Sequence, residues 1–468
     1  MNRPTTDAPP LLFRGGIPGA LAPFGVFLAG VSWLGLSGAP DEIGFWPILL
    51  AALSTGLLLA RDPARYADAV IDGMSRRIVM VMVMAWLLAG VLGVLLRESG
   101  LVASLVWLAG LGGVSGGGFV AVAFLICAVF STATGTSLGT ILVCAPLLYP
   151  SGAVLGADPG FLIGAILAGA TFGDNVSPIS DTTIASATTQ DADLGGVVRS
   201  RMRYALPAGA VAVLIFVLFG GGESAGVEAG ALAGDPAGLP MLLIPALVLR
   251  TLLRRRHLVE GLIYGILGAA LLGMVTGRFA AGDLFGVDSA NFISTGLVLD
   301  GMRRAIGVSI FTILLMGLVG GLESAGLIER LVGWVRARAN RPGAAEWWIF
   351  GAVSGATALT THSVVAIVTV GDLAKEVGGG AGIGAYRRAN LLDVVVCTYP
   401  FLLPFFIPTV LAASMTGDIA GMPRLSPWEA GLHNVHSWAL LVVIIGAIAT
   451  GWGRGPLDEP SAEEPAES

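Results

Sequence analysis

The chain has 468 residues, of which 55% are hydrophobic and only 12% are charged, and its formal net charge is −6. That composition excludes an ordinary soluble domain, and with no basic surface to read it also excludes nucleic acid as a partner. Apolar runs of roughly 15–20 residues recur along its length, which predicts an all-α polytopic membrane protein.

The first apolar run, Ile17 to Ser37, is long for a cleavable signal segment and reads as a true span. Further spans are expected near 45–60, 78–96, 160–190, 204–220, 239–253, 258–276, 305–322, 390–415 and 438–452, about ten in all. Two more apolar segments, 118–150 and 347–371, are interrupted by small polar residues. Cys127, Cys144 and Cys397 all fall in apolar stretches and read as small buried hydrophobes, with no disulfide framework. The C-terminal "LDEPSAEEPAES" reads as a solvated acidic tail.

Charge counting sets the topology. Arg61, Arg65, Arg76 and Arg77 precede the third span, whereas the preceding loop carries Asp41 and Glu42 and no basic residue. The positive-inside rule therefore places 61–77 in the cytoplasm. The clusters Arg199, Arg201, Arg203 and Arg254, Arg255, Arg256 belong there too, as do Arg330, Arg336, Arg338 and Arg341. All agree only if 118–150 crosses an even number of times, so it and 347–371 are expected to be re-entrant hairpins. Both termini then face the cytoplasm of a multi-pass inner-membrane protein.

An internal repeat supports this layout. "IDGMSRRIVMVMVMAWLLAGVLGVLLRESGLV" (71–102) parallels "LDGMRRAIGVSIFTILLMGLVGGLESAGLI" (299–328), and "STATGTS" (131–137) parallels "ATALTTH" (356–362). The first copy begins inside and the second outside, the signature of an inverted-topology repeat. It accounts for Arg303 and Arg304 lying outside against the charge rule. The expected units are 1–44 with the first span, a first repeat over 45–222, a connecting span and basic loop over 223–257, a second repeat over 258–455, and the tail 456–468.

The most informative stretch is "GATFGDNVSPISDTTIASATTQ" (169–190), which holds two aspartates and eight hydroxyl side chains with no lysine or arginine. Gly173 and Pro178 flank a predicted helix break, where free carbonyls, carboxylates and hydroxyls can coordinate a cation. A charged Asp at mid-membrane costs about 2.5–3.5 kcal/mol on the insertion scale, so it usually has a task. Asp174 is the principal candidate ligand for Na⁺, joined by Asp181 seven residues on, two turns away if the helix is regular between them. Ser177, Ser180 and Thr182 are candidate ligands beside them. The competing readings are that Asp174 caps the second half-helix, that Asp181 lies near the surface, and that the hydroxyls bond their own helix carbonyls.

The hairpin tips form a second constellation, with Thr132, Thr134 and Thr136 in one and Thr360, Thr361 and His362 in the other. The second repeat's broken helix is "NLLDVVVCTYPFLLPFF", in which Asp393, Thr398 and Pro400 loosely echo Asp174, Ser177 and Pro178. His433 and His436 in an outer loop are a weak metal pair.

"FGDNVSPISDTT" resembles the signature of the NhaC-type sodium/proton antiporter family, within the broader ion transporter superfamily. Gly173, Asp174, Ser177, Pro178, Ser180, Asp181, Thr182 and Thr183 match it position by position. The resemblance implies sodium-linked transport by scaffold and transport domains in an elevator-like motion. It also marks Asn175 as a site position, because such proteins often carry Lys there. A homodimer is one allowed assembly.

The leading expectation is a Na⁺/H⁺ antiporter, with Na⁺ and H⁺ as transported ions and no cofactor. The alternative is a Na⁺-coupled symporter of an amino acid or small organic acid, whose carboxylate a half-helix N-terminus can hold. A third reading, an intramembrane enzyme, uses "GVSGG" (113–117) with Ser115 as nucleophile and His362 as base. It leaves the 173–183 motif unexplained.

Overall fold

The computed structural model describes residues 10–37, 43–222, 235–254, 256–289, 292–336, 342–417 and 422–454. Asp41, Glu42, Arg255, Arg338, Arg341 and the acidic tail, all used in the sequence reading, lie outside these residues.

The described chain is mostly helical. It opens with α1 (Ile17–Leu36), α2 (Phe45–Leu59) and the amphipathic α3 (Pro63–Met74). There follow α4 (Arg77–Glu98), α5 (Leu101–Leu111), α6 (Gly116–Thr134), α7 (Ser137–Val154), α8 (Pro159–Val176), α9 (Asp181–Thr189) and α10 (Leu194–Phe219). Beyond 235 come α11 (Leu243–Leu253), α12 (Leu258–Val275), the single turn α13 (Ala281–Leu284), α14 (Leu297–Ser324) and α15 (Leu327–Arg336). The last part holds α16 (Pro342–Thr360), α17 (Ser363–Leu373), α18 (Ala385–Val396), α19 (Ile407–Ser414), α20 (Pro427–Leu432) and α21 (Val435–Thr450). Among the described residues, eight helical stretches are long and apolar enough to cross a membrane. Exposed leucine, valine and phenylalanine side chains line the outer faces of α10 and α12, while much of the polarity is buried, the inverse of a soluble protein.

Most expected spans fall on these helices, but 204–220 and 305–322 begin earlier, at Leu194 and Leu297, and α6, within the segment read as a hairpin, is itself long and apolar enough to cross a membrane. Leu101–Leu111 is a separate helix, too short at 11 residues to register as a span. The 160–190 segment is two helices, α8 and α9, separated by Ser177–Ser180. A two-stranded antiparallel hairpin pairs β1 (Gly286–Asp288) with β2 (Ile293–Thr295), small relief from an otherwise helical fold.

The order α4 to α9 recurs in α14 to α19: a long helix, a short one, a pair of helices joined by a tight turn, then a broken helix. The two leading helices pack antiparallel. Arg76, just before α4, pairs with Glu323 near the end of α14, while a Cβ at Gly90 would sit 2.3 Å from the Gly301 carbonyl oxygen near its start. Contacts between helix ends sort into two groups. The base of the α6–α7 pair lies at the C-terminal end of α10, where Asp158 N–H donates to the Gly220 carbonyl at 2.8 Å. The base of the α16–α17 pair lies at the opposite end of α10: Lys375 pairs with Asp191, and Arg387 and Arg454 both pair with the buried Glu346.

Small residues bring α6 against α8. Cβ atoms at Gly169 and Gly173 would stand 2.3 Å from the Phe124 carbonyl oxygen and 2.4 Å from the Ser131 Cβ, so only glycine allows this approach. That contact seats the α6–α7 turn directly over the break after α8.

Candidate functional site

The break after α8 follows from its sequence. Pro178 disfavours helical backbone at Ser177, which turns extended with ψ 127°, and the helix resumes at Asp181. Asp174 lies in the last turn of α8 and is buried. Ser137 Oγ donates to its Oδ2 at 2.8 Å and Ser180 Oγ to its Oδ1 at 2.6 Å. The Ser180 bond falls in the short range of hydroxyl–carboxylate bonds, and the Ser137 bond is of ordinary length. Ser180 also meets Thr182 Oγ1 at 2.9 Å. Asp174 therefore binds the α7 start and the break, and does not cap α9.

The turn joining α6 and α7 is set by Gly135, which adopts φ 69°, and by Thr136, whose side chain accepts from Gly139 N–H at 3.2 Å. Ser177 Oγ donates to the Thr132 carbonyl at 2.8 Å and ties the break to this turn. The equivalent turn between α16 and α17 runs through Thr361, at φ 50°, and His362. A β-branched residue in the left-handed region is strained, and such strain gathers at functional sites.

These turns and breaks converge on one cavity of about 230 Å³. Its polar lining is Thr136, Ser137, Asp174, Asp181, Thr182, Thr361, His362 and Ser363. The facing wall is apolar: Ile78, Val81, Met82, Ala85 and Trp86 of α4, with Leu258 of α12. Pro400, Phe401, Ile407 and Pro408 close it from the second broken helix. Among the described residues, no lysine or arginine stands in the lining.

Of the residues singled out in the sequence, Asp174, Asp181, Thr182, Thr136, Thr361 and His362 reach this cavity. The two aspartates share it although the helix between them is broken, so their proximity comes from the break and not from two regular turns. Ser180 stands behind Asp174 and Ser177 is committed to the Thr132 carbonyl. Thr132, Thr134, Thr360 and Thr398 donate to carbonyls of their own helices at 2.7–2.9 Å. Asn175 is fully buried, and neither side-chain polar atom has a partner. His433 packs on Phe161 and His436 on Phe172, with ring centroids 4.8 and 5.3 Å apart.

Asp393 is not in the cavity lining. It pairs with Arg201 behind the breaks, and both side chains are fully buried. Arg201 Nη1 also donates to the Asn175 carbonyl at 2.6 Å and to Thr183 Oγ1 at 2.8 Å, and its Nε to Asn390 Oδ1 at 3.0 Å. It thus binds both broken helices at once. Charge counting places Arg201 in a cytoplasmic cluster; the structure instead buries it beside the breaks. The correction has a physical cause: Asp193 caps α10 by accepting from Gly196 N–H at 2.6 Å, so the helix starts ten residues before the expected span. Arg201 then falls on the buried stripe with Val197, Tyr204 and Ala208. That spacing, i, i+4, i+7, was the available signal.

Ser115 and His362 do not form a catalytic pair. Ser115 starts α6, and His362 lies at the cavity beyond its far end, roughly 28 Å along a 19-residue helix. A nucleophile and its base need hydrogen-bond contact.

Residues 19–221 match the profile of the Na⁺/H⁺ antiporter family. The Na(+)/H(+) antiporter NhaC of Alkalihalophilus pseudofirmus is 28% identical over 57% of this chain and 60% of its own length. Over that part of its length the chain is similar to the NhaC-type antiporters. This chain is also 26% identical to the malate-2H(+)/Na(+)-lactate antiporter of Bacillus subtilis, over 66% of this chain and 68% of that one. It is also 26% identical to the arginine/ornithine antiporter ArcD of Halobacterium salinarum, over 90% of each chain. The NhaC-type match thus spans less than two thirds of the first relative, and the site motif at 173–183 falls inside the family profile.

Proposed function

We propose that the chain is a secondary transporter that exchanges Na⁺ for H⁺ at Asp174. The observation that carries this is a buried carboxylate, held by two serine hydroxyls, facing a cavity with no cationic side chain in its lining. Na⁺ takes oxygen ligands, and a helix C-terminus with unwound backbone suits it. A proton and a Na⁺ on one carboxylate exclude each other, which is the simplest physical basis of exchange. Asp181 is the second carboxylate within reach of the same ion. Asp393 is held by Arg201 and serves to order the breaks.

In purified protein reconstituted in liposomes, Na⁺ added outside should collapse an imposed pH gradient. Apparent Na⁺ affinity should weaken as pH falls, because protons win the shared carboxylate. A gradient untouched by Na⁺ at every pH rejects the reading. No bound cofactor enters this scheme.

We further infer an inverted repeat with re-entrant α6–α7 and α16–α17 hairpins, in an inner membrane with both termini cytoplasmic. The antiparallel α4–α14 packing and the hairpin bases at opposite ends of α10 support it. Cysteines replacing Gly112 and Leu155 on a cysteine-free background should label from outside, and those replacing Ala344 and Gly380 from inside. Labelling of 112 and 155 from opposite sides would make the first pair a span. A homodimer remains compatible with the exposed apolar faces.

A second reading, exchange or symport of an organic solute, is favoured by the cavity size, and two of the relatives are named for organic substrates.

A further inference from the structure

The cavity is larger than an alkali cation needs. At ~30 Å³ per water, 230 Å³ holds about eight waters, room for an organic molecule with a similar number of heavy atoms. Its charge is also uneven. Asp174 and Asp181 occupy the wall formed by the first repeat. The wall formed by the second repeat has no acidic residue and receives the N-terminal ends of two helices. Ser363, the first residue of the 11-residue α17, and Ile407, the first of the eight-residue α19, both line it.

Neither helix is capped by a side chain: His362 makes no cap bond, and Phe406 has no group to offer. Their leading N–H groups and positive dipole ends favour an anion. An independent observation points the same way. Thr361 is 95% buried (5% exposed), lines the cavity, and its Oγ1 has no hydrogen-bond partner; His362 Nδ1 beside it is equally unpartnered. Buried polar atoms are normally satisfied, and an exception asks for a ligand.

We propose that this wall is a carboxylate subsite, and that the cavity takes a small zwitterionic amino acid, its carboxylate at the α17 and α19 N-termini and Thr361, its ammonium toward Asp181. The apolar face of Trp86 and Met82 receives the side chain. A carboxylic acid without the ammonium leaves two aspartates facing an anion. An amine without the carboxylate leaves Thr361 and the helix ends unsatisfied. The proposal rests on the reading of this cavity as the transport site.

The test is binding of the standard L-amino acids to the purified full chain in Na⁺ buffer, by calorimetry and thermal shift. Each hit is compared with its deaminated and decarboxylated analogues. At least one amino acid should bind, its two analogues at least about tenfold more weakly. Thr361→Val keeps the shape and removes the hydroxyl; it should weaken that binding about fivefold without moving the unliganded melting temperature. Thr361→Ser should restore the binding. Absence of any amino-acid binding, analogues that bind equally well, or wild-type binding by Thr361→Val each overturns the proposal. Na⁺-driven proton flux without amino-acid binding would sink the subsite and leave the exchange reading standing. Amino-acid binding without that flux would do the reverse.

Discussion

Asp174→Asn should abolish Na⁺-dependent collapse of a pH gradient while the protein still expresses and folds. Asparagine keeps the size of the side chain. The Ser137 and Ser180 hydroxyls, 2.8 and 2.6 Å away, can rotate so that one donates to the amide oxygen and the other accepts from the amide nitrogen. What is lost is the charge that holds the ion. Interactions of a charged ligand are worth roughly 1.5–3 kcal/mol each, which corresponds to about one to two decades in affinity. The proton-binding half of the cycle disappears as well, so turnover should fall below detection. Reconstituted flux in the variant, normalised to protein in the vesicles, is the measurement. Wild-type flux would show that the carboxylate is not the exchanging group.

Arg201→Gln should be the most destabilising single change in the site region. It leaves the Asp393 carboxylate buried with no cation, and breaking one partner from a buried pair costs about 3–5 kcal/mol. It also withdraws the donors to the Asn175 carbonyl and Thr183 Oγ1, so the two broken helices lose their shared tie. Adding Asp393→Asn removes the orphaned charge. The double variant should therefore recover much of the loss, as thermal unfolding of detergent-purified protein can record. If the single variant melts with the wild type, the pair does not order the breaks.

The positions of breaks and turns were legible because proline, glycine and hydroxyl clusters punctuate an apolar background. Pro178 lies within the first break, Ser177–Ser180, whereas Gly173, read as its other flank, sits inside α8; the polar runs at 131–137 and 356–362 mark both tight turns. Which hydroxyls face the cavity was not legible. Thr134 and Thr136 are two residues apart, yet one donates to the Phe130 carbonyl and the other caps α7 at the cavity wall. The backbone between them turns at Gly135, and sequence spacing cannot say in which direction. Arg201 was hidden for another reason. Counting arginines treats them as loop residues, whereas an Asp193 cap draws seven residues of helix ahead of Arg201 and carries it inside. Asp393 was misread with it, since a carboxylate reads as a free ligand until its partner is found.

The apolar face of α4 has a consequence for leakage. Ile78, Val81, Met82 and Ala85 offer no hydrogen bond to whatever stands opposite, and Trp86 offers only its indole N–H. If the turns and breaks slide past α4 to carry the site from one side to the other, an empty, charged Asp174 must cross a greasy surface without its solvent. A desolvated lone carboxylate pays several kcal/mol for that passage, and one neutralised by a proton or a sodium ion does not. The wall would then act as a toll on slippage: the unloaded carrier stalls, and only loaded forms commute.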